Sequence, residues 1–332
     1  MRVAMVSPWG SARCGIRSYS SFLANELARM VELWVVPHYR YAPPDRRYAR
    51  WLADRVNRLN PDITHVQHDW GIWNPYDPNV FLDFLGLLRG RKIVTMHATG
   101  FPADRAVSDL VDAVVVHNKY MYDVFQGDKE KCFIIPHGCK LIDTPRHEAR
   151  RRLGLNQDSY IVGVFGFIDW RKGHDIALEA YSRLRGVEMV FVGGWHSDSG
   201  NPYMAEIVNR ARRLGVRVTG YVSDEEFALW LSAVDVVLHP ARAASESGVI
   251  SMALGAGKPV VAADHPAFHD KPVVKFRGVD ELVGILEGLR DPKARVELSR
   301  RAREYAEQYS WERVAELHLH LYTHILCSAS SI

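Results

Sequence analysis

The fold of this protein is decided most clearly by residues 234–262, VDVVLHPARAASESGVISMALGAGKPVVA. The apolar run at 234–238 predicts a buried strand that ends before Pro240, and a loop of small residues follows it. Ser247 is a favourable N-cap for a helix over 248–255, and the apolar run at 259–262 predicts a second strand. A strand, a helix and a strand in this order predict two parallel strands with the helix packed on their sheet.

The same alternation extends over most of the chain. We expect strands at residues 3–6, 33–37, 63–67, 92–97, 113–117 and 132–136, and again at 160–165, 188–192, 217–221, 234–238, 259–262 and 273–275. We expect helices at 16–30, 44–60, 175–185, 203–214, 224–232 and 248–255, and a helical tail from about 292 to 326. Short apolar strands alternating with helices predict an α/β protein with doubly wound parallel sheets.

The alternation is interrupted at residues 140–152, a polar stretch that contains Pro145 and is rich in Arg and His. We interpret it as a linker followed by the first helix of a second domain. The predicted domains are residues 1–142 and 143–305, with a C-terminal helix at 306–332 that packs back towards the first domain. Two similar α/β halves predict a ligand cleft between them, facing the carboxyl ends of the strands.

Composition excludes several classes of protein. The chain has 332 residues, of which 47% are hydrophobic and 24% charged, as in globular proteins. Its net charge of +3 is too small to indicate nucleic-acid binding. The four cysteines form no CxxC pair and no zinc-ligand spacing. No apolar run is long enough to span a membrane and the N-terminus has no signal-peptide pattern, so we expect a cytoplasmic protein.

The first candidate loop, residues 7–18, follows the first strand and contains Trp9 and Gly15. Gly15 stands where the backbone can approach a ligand, with the amides of a helix start behind it. The loop matches neither the dinucleotide fingerprint nor the P-loop. From the residues alone it is either a phosphate or sugar contact or a tight strand-to-helix turn.

The second candidate loop, GVFGFIDWRKGH at residues 163–174, has Arg171 and Lys172 directly before a glycine and a helix. Cations are unfavourable at a helix N-terminus unless an anion lies between them. The two side chains could neutralise a diphosphate, and the alternative is a solvated basic turn.

The third candidate loop lies inside the stretch quoted first. The amides of Ser247, Gly248 and Val249 at the helix start could hold phosphate oxygens. Glu246 could accept hydrogen bonds from sugar hydroxyls, or it could only stabilise the helix dipole.

Histidines and aromatic residues form a further candidate set in the first half. His97 ends a predicted strand, where it is either structural or functional. His68, Asp69 and Trp70 lie in a loop with Trp73, which suits sugar stacking or contact with an acceptor. The alternative is a buried aromatic cluster.

At this point the motifs coincide with a family. The chain resembles the family 4 retaining glycosyltransferases (glycosyl transferases group 1) over essentially its whole length, from MRVAMVSP at residues 1–8 and VQHDWGIW at 66–73, through VTMH at 94–97, to the loops at 165–173, 220–222 and 245–261. The resemblance implies a GT-B fold of two Rossmann-like domains. Each motif alone is weak, and their common order is specific.

The resemblance also implies roles for single residues. Lys172 matches the lysine that grips the donor diphosphate, and the backbone after Glu246 would cap the same phosphates. His97 would lie by the donor sugar, and Gly15 would approach the phosphate from the opposite domain. The stretch at 220–222, which includes Val222, would pass along the nucleotide base.

Two positions depart from the family pattern. Phe167 stands where the family usually has an arginine, a role that Arg171 could take over. The second position of the family's glutamate pair falls on Leu254, so recognition of the ribose hydroxyls is in question.

We therefore predict an enzyme, a glycosyltransferase that moves a hexose-type sugar from a UDP- or GDP-sugar to a glycan, lipid or small-molecule acceptor. Anomeric configuration would be retained. The sequence contains no Asp-x-Asp motif, so we expect neither metal nor other cofactor. The predicted catalytic residues are His97, Lys172 and Glu246. Alternatives are a sugar-nucleotide epimerase of the same fold and an inactive protein that still binds a nucleotide sugar.

One predicted helix could contact a membrane. Residues 46–59 are basic and amphipathic, and could rest on an anionic membrane at the inner face. The alternative is an ordinary helix with Trp51, Leu52, Val56 and Leu59 against the sheet.

Overall fold

The computed structural model describes residues 1–10, 14–38, 44–74, 76–194 and 202–328. These residues form two compact units. Unit 1 comprises Met1–Gly138 and Trp311–Ile332, and unit 2 comprises Cys139–Ser310. Residues 11–13 of the first candidate loop lie outside the described residues.

The strands and helices follow each other in close alternation. The strands are β1 (Arg2–Pro8), β2 (Glu32–His38), β3 (Ile63–His68), β4 (Arg91–Met96), β5 (Ala113–Val116), β6 (Cys132–Ile134), β7 (Ile161–Phe165), β8 (Glu188–Val192), β9 (Arg217–Val218), β10 (Val236–His239), β11 (Val260–Ala263) and β12 (Val274–Phe276). The helices are α1 (Gly15–Leu27), α2 (Arg46–Arg58), α3 (Asn79–Leu87), α4 (Asp104–Leu110), α5 (Lys119–Val124), α6 (Arg146–Leu153), α7 (His174–Arg183), α8 (Pro202–Leu214), α9 (Asp224–Ala233), α10 (Gly248–Gly255), α11 (Val279–Gly288), α12 (Pro292–Gln308) and α13 (Trp311–Cys327).

Each unit contains one parallel six-stranded sheet. The order is β2-β1-β3-β4-β5-β6 in unit 1 and β12-β11-β10-β7-β8-β9 in unit 2. In each sheet, the strands that directly follow the first strand lie on one side of it, and the later strands lie on its other side. This topological switch point lies between β1 and β3 in unit 1 and between β7 and β10 in unit 2. Ligands of doubly wound sheets bind at the carboxyl ends of the strands at such a point.

The predicted α/β class and the doubly wound parallel sheets are confirmed. Every predicted strand is present, with ends that shift by a few residues. The strand expected at 217–221 is limited to β9, because the chain turns at Gly220, whose φ is +75°. Helices α3, α4, α5 and α11 were not predicted.

The boundaries of the units differ slightly from the expected domains. The first segment of unit 1 ends at Gly138, whereas we expected the first domain to end at residue 142. Unit 2 ends at Ser310 rather than at residue 305. The predicted helical tail is two helices, since the chain breaks at Tyr309 and Ser310. There the amide of Cys139 donates to the carbonyl of Tyr309 at 2.8 Å, which joins the two chain passages at the edge of unit 2.

Helix α2 packs as an ordinary amphipathic helix in unit 1. Ala49, Leu52, Ala53 and Val56 are buried on the apolar core of the unit. Trp51 is 45% exposed, although one interpretation of the sequence placed it against the sheet. Among the helices that the structure describes, none is both long and apolar enough to cross a membrane.

The start of unit 2 is held by a buried ion pair. Arg150 of α6 is fully buried and donates to a carboxylate oxygen of Asp235 at 2.7 Å. The same guanidinium donates to the carbonyls of Ala233, Asn156, Gln157 and Ser159. Asp235 also accepts from the amide of Ile161 at the start of β7. One arginine therefore fixes α6, the loop after it and the two central strands.

Replacing Arg150 with Met should lower the free energy of unfolding by about 3 kcal/mol, because several carbonyls and one carboxylate lose a buried donor. Arg151→Met is the matched control, since Arg151 is exposed on the same helix. Denaturant unfolding of both variants measures the difference. Equal stabilities would contradict the assigned role of Arg150.

Candidate functional site

In unit 2, glycines bring the loops that follow β7, β8 and β9 into backbone contact. Gly193 has a φ of +140°, and a Cβ there would lie 2.1 Å from the carbonyl oxygen of Gly166. A Cβ on Gly194 would lie 2.9 Å from the amide nitrogen of Tyr221. Side chains at these positions would separate the loops, so the glycines are needed for the close packing of this sheet edge.

The turn that carries Arg171 and Lys172 is anchored to the loop after β10. Gly173 has a φ of +68°, and a Cβ there would lie 2.0 Å from the carbonyl oxygen of Pro240. The amide of Arg242 donates to the carbonyl of Arg171 at 2.7 Å. The Arg242 guanidinium also binds Asp175 at 2.5 Å, which lowers the pKa of Asp175 to about 2. The turn is thereby fixed at the switch point.

The two predicted cations of this turn have different environments. Arg171 is exposed and bonds to Asp169 at 3.1 Å, two residues away. Lys172 is half-buried, and its ammonium has neither a hydrogen bond nor an ion pair among the described residues. Burial lowers the pKa of Lys172, and Asp169 partly opposes this shift. Lys172 is thus the cation that an anionic ligand could still neutralise.

Helix α10 begins beside the same turn. Ser247 caps it, with the hydroxyl oxygen accepting from the amide of Ile250 at 3.4 Å and lying 3.1 Å from Nε2 of His239. His239 is buried, and its pKa is lowered well below the usual value by burial and by the nearby Lys172. The cap of α10 and the turn of Lys172 therefore meet at the carboxyl ends of β7 and β10.

Glu246 has partners that the sequence did not reveal. Its carboxylate is 6% exposed, accepts from the amide of Ser247 at 2.7 Å and binds Nζ of Lys271 at 3.0 Å. Lys271 is buried as well and also lies 3.3 Å from Asp270. Since Glu246 holds the amide of Ser247, only the amides of Gly248 and Val249 remain of the three expected to meet phosphate oxygens.

The remaining donor-side predictions, Phe167 and Val222, lie in the loops after β7 and β9, and β9 forms the edge of the sheet. Phe167 is half-buried, and Val222 is 9% exposed in the loop after β9. A cavity of about 640 Å³ lies at this edge, lined by residues of α8, β9 and the loops after β7 and β8, among them Ile168, Gly194, Met204, Val218 and Gly220. Its size is that of small-molecule sites.

In unit 1, His97 follows β4 and is half-buried. Its Nε2 lies 3.1 Å from Oε1 of Gln67, and its Nδ1 lies 3.3 Å from Nε2 of His117. The ring of Tyr19 packs edge-on at 4.8 Å. Burial, and then the neighbouring histidines, lower the pKa of His97 well below its usual value. His97 is therefore neutral at neutral pH.

The predicted acceptor residues lie near the switch point of unit 1, and they do not all reach its surface. His68 is fully buried and stacks on Phe81 with ring centroids 3.7 Å apart. Trp70 packs edge-on against His68 at 4.5 Å. His68 therefore belongs to a buried aromatic cluster. Its ring cannot contact a ligand unless this packing opens. Half-buried Asp69 receives a hydrogen bond from the amide of Gly71 at 2.7 Å.

Trp9 and Gly15 flank the first loop of unit 1. Trp9 is half-buried directly after β1. Gly15 is the first residue of α1, and a Cβ there would meet no atom within 4 Å. Nothing in the described part of the chain fills the space beside Gly15. Among the described residues, no group of three or more His, Cys, Asp or Glu side chains could hold a metal ion.

Comparison with known proteins agrees with these features. Residues 159–294, which hold Lys172, Glu246 and α10, match the family model described as glycosyl transferases group 1. This segment belongs to the glycosyl transferases group 1 family. The family predicted from the sequence is therefore confirmed for this segment.

The curated relatives carry a glycosyltransferase name. The D-inositol 3-phosphate glycosyltransferase of Mycobacterium marinum is 30% identical over 237 residues, 64% of this chain and 50% of that protein. The protein of the same name from Mycobacterium bovis is 31% identical over 245 residues, 68% of this chain and 45% of that protein. The chain spans about half the length of the curated relatives it matches.

Solved structures of low identity share the fold. Anabaena HepE, in complex with UDP and glucose, superimposes with a TM-score of 0.78 at 17% identity and covers 98% of this chain and 100% of its own. Sucrose-phosphate synthase from Thermosynechococcus elongatus gives a TM-score of 0.77 at 19% identity, with 98% and 99% covered. The predicted GT-B fold class is confirmed by these likenesses and by the two parallel sheets.

Replacing Gly173 with Ala should lower the free energy of unfolding by roughly 1–3 kcal/mol more than the same change at Gly257. Gly257 has a similar φ of +64°, but a Cβ there would meet nothing within 4 Å. The pair therefore separates the backbone strain, which both variants share, from the contact with Pro240. Denaturant unfolding measures it, and equal losses would show that the close contact is unimportant.

Proposed function

We propose that this protein is a glycosyltransferase that moves a sugar from a nucleotide-sugar donor to the hydroxyl group of an acceptor. One observation carries the proposal. Lys172 and Ser247, the cap of α10, both lie near His239 at the switch point of unit 2, inside the glycosyl transferases group 1 segment. Among the described residues, the ammonium of Lys172 has no hydrogen-bond or ion-pair partner. A cation and helix amides at one point suit a diphosphate group.

The same arrangement suggests how the leaving group would be stabilised. When the bond between sugar and diphosphate breaks, negative charge develops on the phosphate oxygens. Lys172 and the amides of Gly248 and Val249 are held in place before the reaction, so they can stabilise that charge with little reorganisation. The cavity of about 640 Å³ beside β9 would take the base and ribose of the donor.

Several finer features belong to the proposal. The donor is a UDP- or GDP-hexose, and the leaving phosphate helps to deprotonate the acceptor hydroxyl on the same face of the sugar. That route retains the anomeric configuration, and NMR of the product distinguishes it from inversion. Lys172 and α10 would supply the charge stabilisation that other transferases obtain from a metal ion.

A second candidate is a protein that binds a nucleotide sugar without transferring it. Leu254 is fully buried on α10, so this position offers no group to the ribose hydroxyls. Phe167 contributes no charge where an arginine is usual. Hydrolysis or transfer of donor sugar by the purified protein would distinguish the enzyme from the binding protein.

Replacing Lys172 with Ala should weaken the binding of UDP or GDP roughly ten- to a hundredfold and lower turnover strongly, because a charge-assisted contact with the diphosphate is lost. Lys275→Ala is the control, since Lys275 is a partly exposed lysine on β12. Titration calorimetry measures the affinity. Unchanged affinity in Lys172→Ala would rule out the diphosphate role.

A panel of nucleotide sugars should raise the thermal stability of the protein selectively. A donor at a hundred times its Kd adds about 2.7 kcal/mol to the stability of the folded state. We expect one UDP- or GDP-sugar to give the largest shift, and the shift to persist in EDTA. Loss of the shift in EDTA would argue for a metal-dependent donor site, and no shift with any donor would contradict the proposed function.

A further inference from the structure

Helix α2 presents a row of arginines on the side that faces away from the core of unit 1. Its residues at positions 49, 52, 53 and 56 are buried in that core. The exposed residues of the opposite side, which we name the arginine face, are Arg47, Arg50, Trp51, Asp54, Arg55 and Arg58. Their spacings of three and four residues put them in one stripe along the helix. Because it holds four arginines and one aspartate, this stripe is positively charged.

The charge of the arginine face is not neutralised by the protein itself. None of its four arginines has an ion pair among the residues that the structure describes. Arg46, one residue before the face, differs from them and bonds to Asp83 of α3 at 3.2 Å. On α12, likewise, Arg300 and Arg303 bond to glutamates of their own helix. The arginine face therefore remains open to an anionic partner.

The position of Arg47 is unfavourable for the helix alone. It lies in the first turn of α2, where the helix dipole disfavours a cation. No acidic residue lies in that turn, and the carboxylate of Asp45 before it accepts from the amide of Tyr48 at 2.8 Å as the N-cap. Since Arg47 is exposed as well, the folding of unit 1 gives no reason for a cation at this position.

Apolar side chains are exposed within and beside the arginine face. Trp51 is 45% exposed, and the guanidinium of Arg55 lies 5.7 Å from the centre of its ring. Leu87, at the end of α3, is 42% exposed, and its carbonyl accepts from the side-chain NH₂ of Asn57 at 2.9 Å. The amide of the exposed Arg89 donates to the oxygen of the same side chain at 2.9 Å. The surface of cations and apolar groups thus continues from α2 onto the end of α3.

We propose that the arginine face is a docking surface for the headgroup layer of a membrane that contains anionic phospholipids. The arginines bind lipid phosphate groups, while Trp51 and Leu87 enter the boundary between headgroups and acyl chains. Since the apolar side of α2 is used by the core of unit 1, docking depends mainly on charge. The helix lies parallel to the membrane, because its exposed arginines extend along its whole length. The inference goes beyond the proposed function and does not depend on it.

A lipid surface fits this face better than a nucleic acid does. Proteins that stack nucleobases on aromatic rings hold the strand in a positively charged groove, whereas the arginine face is the outward side of a helix. An indole ring is apolar with one polar N–H group, and it is well suited to the headgroup level of a bilayer. A nucleic-acid backbone would bind the arginines but would offer no apolar layer to Trp51 and Leu87.

Co-sedimentation of the full chain with lipid vesicles tests the proposal. We expect the protein to sediment with vesicles of phosphatidylglycerol and phosphatidylcholine in equal amounts, and to stay in solution with phosphatidylcholine alone. Binding should weaken as salt is added, since salt screens the attraction between exposed charges. Absence of binding to the anionic vesicles at low salt would overturn the proposal.

Replacing arginines separates the local face from the overall charge. In the first variant all four arginines of the arginine face become Gln, and each change should weaken vesicle binding about fivefold. The control variant loses the same charge from unit 2, through Gln at four exposed arginines without an ion pair among the described residues: Arg151, Arg152, Arg213 and Arg301. Thermal unfolding establishes that both variants are folded. Equal losses of binding would assign it to net charge and overturn the proposal.

Two single substitutions test the face in opposite directions. Asp54→Asn removes its acidic residue and should strengthen vesicle binding about fivefold. Trp51→Ala should weaken binding roughly fivefold, because apolar contact with the lipid is lost. Leu214→Ala is the control for Trp51, since Leu214 is a partly exposed apolar residue of unit 2. Unchanged binding in Asp54→Asn, or equal effects of Trp51→Ala and Leu214→Ala, would contradict the docking of this face.

A duplex RNA of mixed sequence is the competing partner. Binding of this RNA that is lost in the arginine-face variant, together with no binding to vesicles, would assign the face to nucleic acid and overturn the proposal. The stability shift with nucleotide sugars should be equal in the wild type and in the arginine-face variant, because Lys172 and α10 belong to unit 2. Failure of the proposed function would appear as a missing shift, while sedimentation would still decide the membrane contact.

Discussion

The contact between Gly173 and the carbonyl oxygen of Pro240 is the constraint on which the unit 2 site depends. It joins the loop after β7 to the loop after β10. These two central strands flank the switch point, where the order of the strands reverses. A side chain at Gly173 would separate the loops and move Lys172 away from the start of α10. The ion pair between Arg242 and Asp175 reinforces the same contact from the other side of the turn. Among the residues that the structure describes, no bond joins the ammonium of Lys172 to the start of α10, so both remain available to a ligand.

Burial governs the electrostatics of both units. Glu246 and Lys271 are buried as a pair, so the carboxylate is held in a fixed orientation although little of it reaches solvent. Lys172 lacks such a partner, and its pKa is lowered by burial. In unit 1 the histidines are buried next to one another, and desolvation keeps His65, His68 and His97 neutral. The buried site of unit 2 thus contains ionisable carboxylate and ammonium groups, whereas the buried histidines of unit 1 are uncharged.

The departures from the family pattern gain a physical meaning from the structure. Leu254 is fully buried within unit 2, so its position on α10 contributes packing and no polar contact. Arg171, which the sequence suggested as a substitute for the missing arginine, is exposed and bonded to Asp169. In the proposed donor site, the positive charge offered to a diphosphate would therefore come mainly from Lys172. Lys271 was not found from the sequence, because an isolated lysine before a strand gives no signal of its pairing with Glu246.

The sequence by itself determined the α/β class, the two sheets, nearly all of the strands and the loops where Lys172 and Glu246 lie. It could do so because strand and helix periodicity, N-caps and glycines at turns are local properties of the chain. Short helices such as α4 and α5 were not predicted from the sequence, since a few residues show too little periodicity to be recognised. The tertiary structure alone decided which side chains are available. It buried His68 against Phe81, paired Glu246 with Lys271 and placed His117 against His97. Those outcomes depend on contacts between residues far apart in the chain, and no local pattern contains them.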